Sequence, residues 1–148
     1  MNRNLKEEIK EIKSSIVAIG FNPNPQQITI IGSGFAVSDE KILSAAHLYN
    51  KLTEDQRNNL KAFVLVEQGP LEFERYSWFP ITLINKNDED DLALFQLSAS
   101  GQKTLLSKLE IGDSDKIEVG EEVYFIGFPY AAQLINDGFG VTLIINRG

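Results

Sequence analysis

The sequence predicts an all-β protein built on a small closed antiparallel barrel. Six short runs rich in Val, Ile, Leu and Phe fall within the first 97 residues, each bounded by Gly, Pro, Asn or Asp turn signals. Between these runs no stretch shows the apolar period of a convincing helix. Closing the sheet on itself is the ordinary way for so many short strands to lose their exposed edges.

Residues 1–13 come first and read as a short amphipathic helix. Leu5, Ile9, Ile12 and Ile16 recur at helical spacing, and Glu7, Glu8, Lys10, Glu11 and Lys13 fill the other faces. Such a helix is expected to pack on the body of the domain or on a partner. Ser15–Phe21 reads as the first strand, stopped by Asn22-Pro23-Asn24-Pro25. Gln27–Val37 is a second, long strand containing Gly32-Ser33-Gly34, and glycines inside a strand mark a bulge or a close backbone approach. Lys41–Ala45 is the third, after a turn at Asp39-Glu40. Ala46–Leu60 reads as helical or irregular, with Thr53 as an N-cap ahead of Glu54 and Gln56. Ala62–Glu67 follows, then a turn at Gln68-Gly69-Pro70, a long and bent strand over Leu71–Asn85, and Asp91–Leu97.

Residues 98–121 carry Ser, Gly, Asp and Lys and read as a connector. Glu122–Gly127 and Val141–Ile145 read as two more strands, with turns at Phe128-Pro129 and Asp137-Gly138. Two strands do not make a stable sheet alone. The expected organisation is therefore a helical segment (1–14), a barrel (15–97), a connector (98–121) and the start of a second barrel that stops at Gly148. Unpaired edges in residues 122–148 favour self-association or a completing chain.

An apolar fraction of 43% over 148 residues is enough for one core of ordinary size. No apolar run approaches the roughly 18 residues of a membrane span, and no apolar stretch follows the N-terminal lysines as in a secretion signal. A cytoplasmic location is expected, with no membrane partner. Cysteine is absent, which excludes a disulfide scaffold, a thiolate metal site and a cysteine nucleophile. The net charge of −7 would repel a phosphate backbone, so nucleic acid is not an expected partner.

The residues suited to chemistry are few. His47 is the single histidine, in the run Ile42-Leu43-Ser44-Ala45-Ala46-His47. An imidazole can take and return a proton near neutral pH, and Ala45 and Ala46 allow the close packing that holds a ring in place. A lone histidine is otherwise a structural residue. Further on, Asp91 directly precedes the apolar run Leu92-Ala93-Leu94-Phe95. It closes an acidic cluster of Asp88, Glu89, Asp90 and Asp91, and such clusters are usually solvated loops or, now and then, weak Ca²⁺ sites. Only Asp91 directly precedes the strand, so only it is expected to be buried. A histidine and a buried carboxylate form the base and its orienting partner in a Ser-His-Asp site.

Five segments in order resemble the trypsin-like serine peptidases, and among them the HtrA/Deg-type branch. Gly32-Ser33-Gly34-Phe35 is similar to that branch's Gly-x-Gly-Phe strand, and Ile42-Leu43-Ser44-Ala45-Ala46-His47 to its Ile-Leu-Thr-Ala-Ala-His, with Ser for Thr. Asp91-Leu92-Ala93-Leu94 resembles its Asp-Leu-Ala-Leu. Ile111-Gly112-Asp113-Ser114-Asp115, followed by Val119-Gly120 and then Ile126-Gly127-Phe128-Pro129, resembles the start of its second barrel. Each motif alone is weak; together they cover roughly residues 15–148. The resemblance implies a six-stranded Greek-key barrel, a hydrolase that cleaves polypeptides through an acyl-serine, and no metal or organic cofactor. It makes His47 the general base and Asp91 its orienter; these roles are carried over from the family. In that family the nucleophile, the oxyanion amides, the specificity pocket and the substrate-pairing strand lie in the C-terminal half. No Gly-Asn-Ser-Gly-Gly or Gly-Asp-Ser-Gly-Gly occurs here, and Ser33, Ser98, Ser100 and Ser114 sit in no such motif. There is also no Ile-Val-Gly-Gly activation terminus. The 148 residues alone are expected to be inactive, and the rival expectation is an inactive pseudo-protease, a peptide-binding module or a partner-completed half-domain.

Overall fold

A computed structural model describes residues 5–71, 73–127 and 144–147. Helix α1 (Leu5–Ile12) leads through a single 3-10 turn into β1 (Ile16–Asn24). Ile16, which the sequence offered both to the helical face and to the first strand, belongs to the strand. It pairs with Phe35 in the ladder, and the β-branched Ile16-Val17 pair suits a pleated surface better than a helix. Strands β2 (Gln27–Ala36) and β3 (Lys41–Ser44) follow, then helices α2 (Ala46–Asn50) and α3 (Glu54–Asn58). Next come β4 (Leu60–Gln68), β5 (Glu74–Asn87) and β6 (Leu92–Leu97). These six strands close an antiparallel barrel in the order β1-β2-β3-β6-β5-β4.

Period-two alternation decides which side chains fill the barrel. Val17 and Ile19, Ala62 and Val64, Phe79 and Ile81, and Ala93 and Phe95 point into one core with Ile42. On the outer face a smaller cluster forms around Ile16, Ala18 and Phe63, where the Phe63 ring lies 5.0 Å from Tyr76 and 4.6 Å from Trp78.

The glycines of β2 do produce a bulge. Ile19 faces Gly32 but Gly20 faces Ile30, so Ile31 is the extra residue. The long β5 bends the same way, with Ile84 unpaired between Leu83 and Asn85. Several boundaries differ from those read in the sequence. β1 continues through Pro23, in an irregular part of the β1–β2 pairing and past the last β4 partner of β1, so the missing N–H breaks no ladder bond on that side. The reversal comes one step later, where Asn24 Oδ1 accepts from the Gln26 N–H at 3.0 Å. β5 begins at Glu74 and not at Leu71, which has φ 57 and lies fully exposed in the turn. The Ala46–Leu60 stretch divides into α2 and α3, and Thr53 caps α3 in a reciprocal box with Gln56.

The connector is more than a link. The Leu105 N–H donates to the Leu65 carbonyl at 2.8 Å and the Leu109 N–H to the Ala36 carbonyl at 2.9 Å. Between them Leu106, 5% exposed, joins the barrel core. This strap thus crosses from β4 to β2. Beyond it, β7 (Tyr124–Gly127) pairs antiparallel with β8 (Ile144–Arg147), and Ile126 packs on the outer cluster. The expected turns at Phe128-Pro129 and Asp137-Gly138, and the start of the strand expected over 141–145, lie outside the described residues. Among the described residues no helix is long and apolar enough to cross a membrane.

Candidate active site

The site is assembled where β3 hands the chain to α2 and where β5 turns into β6. Ser44 ends β3, and its hydroxyl donates to the Ser33 carbonyl of β2 at 2.7 Å. This bond anchors the end of β3 just before the chain turns away. Ala45 is extended (φ −86, ψ 135) and α2 starts at Ala46, so His47 sits in the first turn of the helix. The pairing of β3 with β6 places Ser44 opposite Ala93. That register brings the turn before β6 alongside the first residues of α2.

Asp91 closes that turn in a left-handed conformation, φ 56. Non-glycine residues adopt it rarely, and Asp more readily than most. From there Asp91 meets the helix at three points. Its carbonyl accepts the Ala46 N–H at 3.2 Å, its Oδ1 accepts the His47 backbone N–H at 2.7 Å, and its Oδ2 lies 2.7 Å from His47 Nδ1. α2 has no capping side chain of its own, and Asp91 supplies that function from a distant part of the chain. The His47 side chain, followed by its backbone N–H, holds the Asp91 carboxyl below the usual carboxylate range. The carboxylate is therefore ionised at neutral pH, and Nδ1 is the ring nitrogen that carries the proton and donates it. Both side chains are about half exposed, at 54% and 48%, so Asp91 is not buried as its place before the strand suggested; it sits in the turn, ahead of the first core-facing residue Ala93.

Asp91 also borders a cleft of about 310 Å³ lined by Ile16, Phe35, Leu43, Leu92 and Ile126. This apolar wall runs between the barrel and β7. The remaining acidic residues of the turn are engaged otherwise. Asp88 accepts from Asn50 Nδ2 at 2.8 Å and from Lys86 Nζ at 3.0 Å, and Asp90 accepts from Asn87 Nδ2 at 3.1 Å. No group of three or more metal-ligating side chains occurs among the described residues.

The structure thus brings His47 and Asp91 together. Ser33 lies on β2 and borders the cleft, while Ser98, Ser100 and Ser114 are exposed on the connecting segment. Sequence reasoning did not find the bond from the His47 main chain to Asp91, or the ties from Asn50 to Asp88 and Lys86. A clue to the first was present: an Asp immediately before a strand is a turn residue able to cap a neighbouring helix.

Two solved structures resemble the fold. The crystal structure of Deg5 superposes with a TM-score of 0.59 at 22% identity, covering 98% of this chain and 64% of that one. The apo crystal structure of the MamO protease domain from Magnetospirillum magneticum gives 0.60 at 16% identity, covering 93% and 60%. At such identities the likeness is one of fold, and the chain spans 64% and 60% of those chains' lengths. No curated protein matches the sequence. The barrel, the motif order and a match of residues 32–145 to the trypsin-like peptidase domain agree: this chain belongs to the trypsin-like peptidase family.

Proposed function

We propose that this chain supplies the acid–base half of a Ser-His-Asp acyl-transfer site, in a serine endopeptidase domain of the HtrA/Deg-type branch acting on polypeptides. The observation that carries this reading is the double seat of His47 on Asp91. One carboxylate oxygen takes the ring Nδ1–H and the other takes the backbone N–H of the same residue, each at 2.7 Å, so ring and main chain are oriented by one group. With Nδ1 engaged, Nε2 is the nitrogen left to accept a proton from a serine hydroxyl. The serine oxygen then bonds to the scissile carbonyl carbon. The C–N bond breaks as the imidazolium returns the proton to the leaving amine, and water releases the acyl group by the same relay. Asp91 stabilises the imidazolium formed in between. In our reading His47 and Asp91 come from the first barrel, residues 15–97. The resemblance to the family assigns the nucleophile and oxyanion amides to the C-terminal half of such a domain, and no Gly-x-Ser-Gly-Gly occurs in this sequence.

That missing motif also favours a second reading, an inactive pseudo-protease or peptide-binding module, or a half-domain completed by another chain through residues 122–148. A serine-directed fluorophosphonate probe separates the two. No serine of residues 1–148 is expected to label. In protein expressed from the complete reading frame, one serine following Gly148 is expected to label, and His47→Ala is expected to abolish that labelling. Stoichiometric labelling of a serine within residues 1–148 would overturn the division of roles, and an unlabelled complete product would decide for the second reading.

A further inference from the structure

α2 has five residues, far below the length at which a helix holds itself together in water. It nevertheless carries His47, whose ring must stay within hydrogen-bond reach of Asp91. The N-terminal end is held by Asp91 itself. The far end is held by groups that the acyl-transfer chemistry does not use. From α3, Arg57 donates through Nε to the Tyr49 carbonyl at 3.2 Å and through its terminal nitrogen to the Asn50 carbonyl at 3.3 Å. Its guanidinium lies 4.4 Å above the Tyr49 ring. The Asn50 side chain reaches the other way. Its Nδ2 donates to Asp88 Oδ1 at 2.8 Å and its Oδ1 accepts from Lys86 Nζ at 2.7 Å. Lys86 Nζ closes the ring of contacts by binding both Asp88 oxygens at 3.0 Å.

Asp88 and Asp91 belong to the same short turn between β5 and β6. One end of α2 is therefore tied to one end of this turn, and the other end of α2 to the other. The turn is stiffened internally, since the Asp90 N–H donates to Asn87 Oδ1 at 3.1 Å and Asn87 Nδ2 donates back to Asp90 Oδ2 at the same distance. Asn50, Lys86, Asp88 and the turn residues lie on the surface, where an ion pair adds little to stability. A cluster that is weak for stability but joined at both atoms of one amide fixes an angle instead.

We propose that Asn50, held by Lys86 and Asp88, is a positioning residue that sets the approach of the His47 ring to Asp91 by fixing the second end of α2. The proposal rests on the reading of His47 and Asp91 as a catalytic pair. Asn50→Ala is the informative variant because it removes the tie without removing a charge. His47 is the single histidine, so the imidazole N–H proton in ¹⁵N-edited spectra of the 148-residue chain reports on this ring alone. In the unaltered chain the Nδ1 proton is expected to exchange slowly with water, and Asp91→Asn to abolish that protection. Asn50→Ala is expected to speed the exchange about tenfold, the effect of freeing one hydrogen-bonded anchor. Lys86→Met is expected to act in the same direction. Tm is expected to fall by less than about 4 °C in both. Exchange in Asn50→Ala within twofold of the unaltered chain would overturn the positioning role and leave the catalytic pair standing. A larger fall in Tm would overturn it too, by showing that the cluster supports the fold. An unaltered chain with no proton sensitive to Asp91→Asn would sink the pair itself and this proposal with it.

Discussion

Gly20 and Gly32 pose the same steric question and are expected to give opposite answers. Both flank the β1–β2 bulge, where Gly20 faces Ile30 and Gly32 faces Ile19. A Cβ on Gly20 would stand 2.5 Å from the Thr29 carbonyl oxygen, 3.2 Å from its carbon and 3.3 Å from Ile30 Cα. All three are backbone atoms of the paired strand, so relief requires moving the ladder. A Cβ on Gly32 would first meet Leu48 Cδ1, closer still, then Cδ2 at 3.4 Å and Cγ at 3.5 Å. Those atoms form the end of one half-buried side chain, which can turn away. Neither glycine has positive φ, so alanine fits the backbone at both sites and stabilises through the unfolded chain by about 0.4–1 kcal/mol. Overpacking against fixed neighbours costs about 1–3 kcal/mol, and a rigid carbonyl places Gly20 at the upper end. Gly20→Ala is expected to lose about 2 kcal/mol net, and Gly32→Ala to stay within about 0.5 kcal/mol of the parent. In urea, with a slope near 2 kcal/mol/M, the first midpoint falls by about 1 M and the second by less than about 0.3 M. Equal shifts, or the reverse order, would refute the argument that the identity of the struck atom matters more than the distance to it.

Two further outcomes are expected. Leu106→Ala removes three buried carbons and leaves a cavity, a loss of about 3 kcal/mol. Leu105→Ala, at a side chain 41% exposed, loses less than about 1 kcal/mol; equal losses in a urea titration would show that the strap does not enter the core. The Asp91 carboxyl, followed by ¹³C NMR, is expected to titrate below the ordinary value near 3.9, because its first and largest support is the His47 side chain. Its folded pKa is depressed, so its stabilising contribution is present above the unfolded pKa and is lost as pH falls through the lower folded value. His47→Ala returns the midpoint toward the ordinary value, and a midpoint in that variant unchanged from the parent would contradict the pairing.

The barrel was legible because short apolar runs broken by turn residues are a local signal. The faces were not, since Ile16–Ile19 is apolar and buried throughout, and only the strand pairing separates Val17 and Ile19 in the core from Ile16 and Ala18 outside it. The candidate site was legible as two residue types in suggestive runs, but not as a geometry. Nothing local shows that Asp91 takes a left-handed backbone, or that one oxygen of its carboxylate caps a helix begun far earlier in the chain. Leu106 was hidden for a related reason. In a segment of Ser, Lys and Thr nothing separates it from its neighbours Leu105 and Leu109, and only the backbone bonds of those two to different strands turn it inward. Ile16 fits both a helical step of four from Ile12 and the first residue of a strand, and only its pairing with Phe35 puts it on the outer face of the barrel.

The strap also sets an order of events during synthesis. β1 pairs with β4 and β3 with β6, so neither closing seam can form until most of the barrel has left the ribosome, and such distant pairings are slow. Even with β6 in hand, the core lacks Leu106 and the Leu65 and Ala36 carbonyls lack their donors. The nascent barrel therefore waits, for roughly a second at ordinary elongation rates, with a gap in its core that the next stretch of chain fills. A chaperone that reads exposed apolar surface has that interval in which to act, and slower translation between the emergence of Leu97 and that of Leu109 would lengthen it.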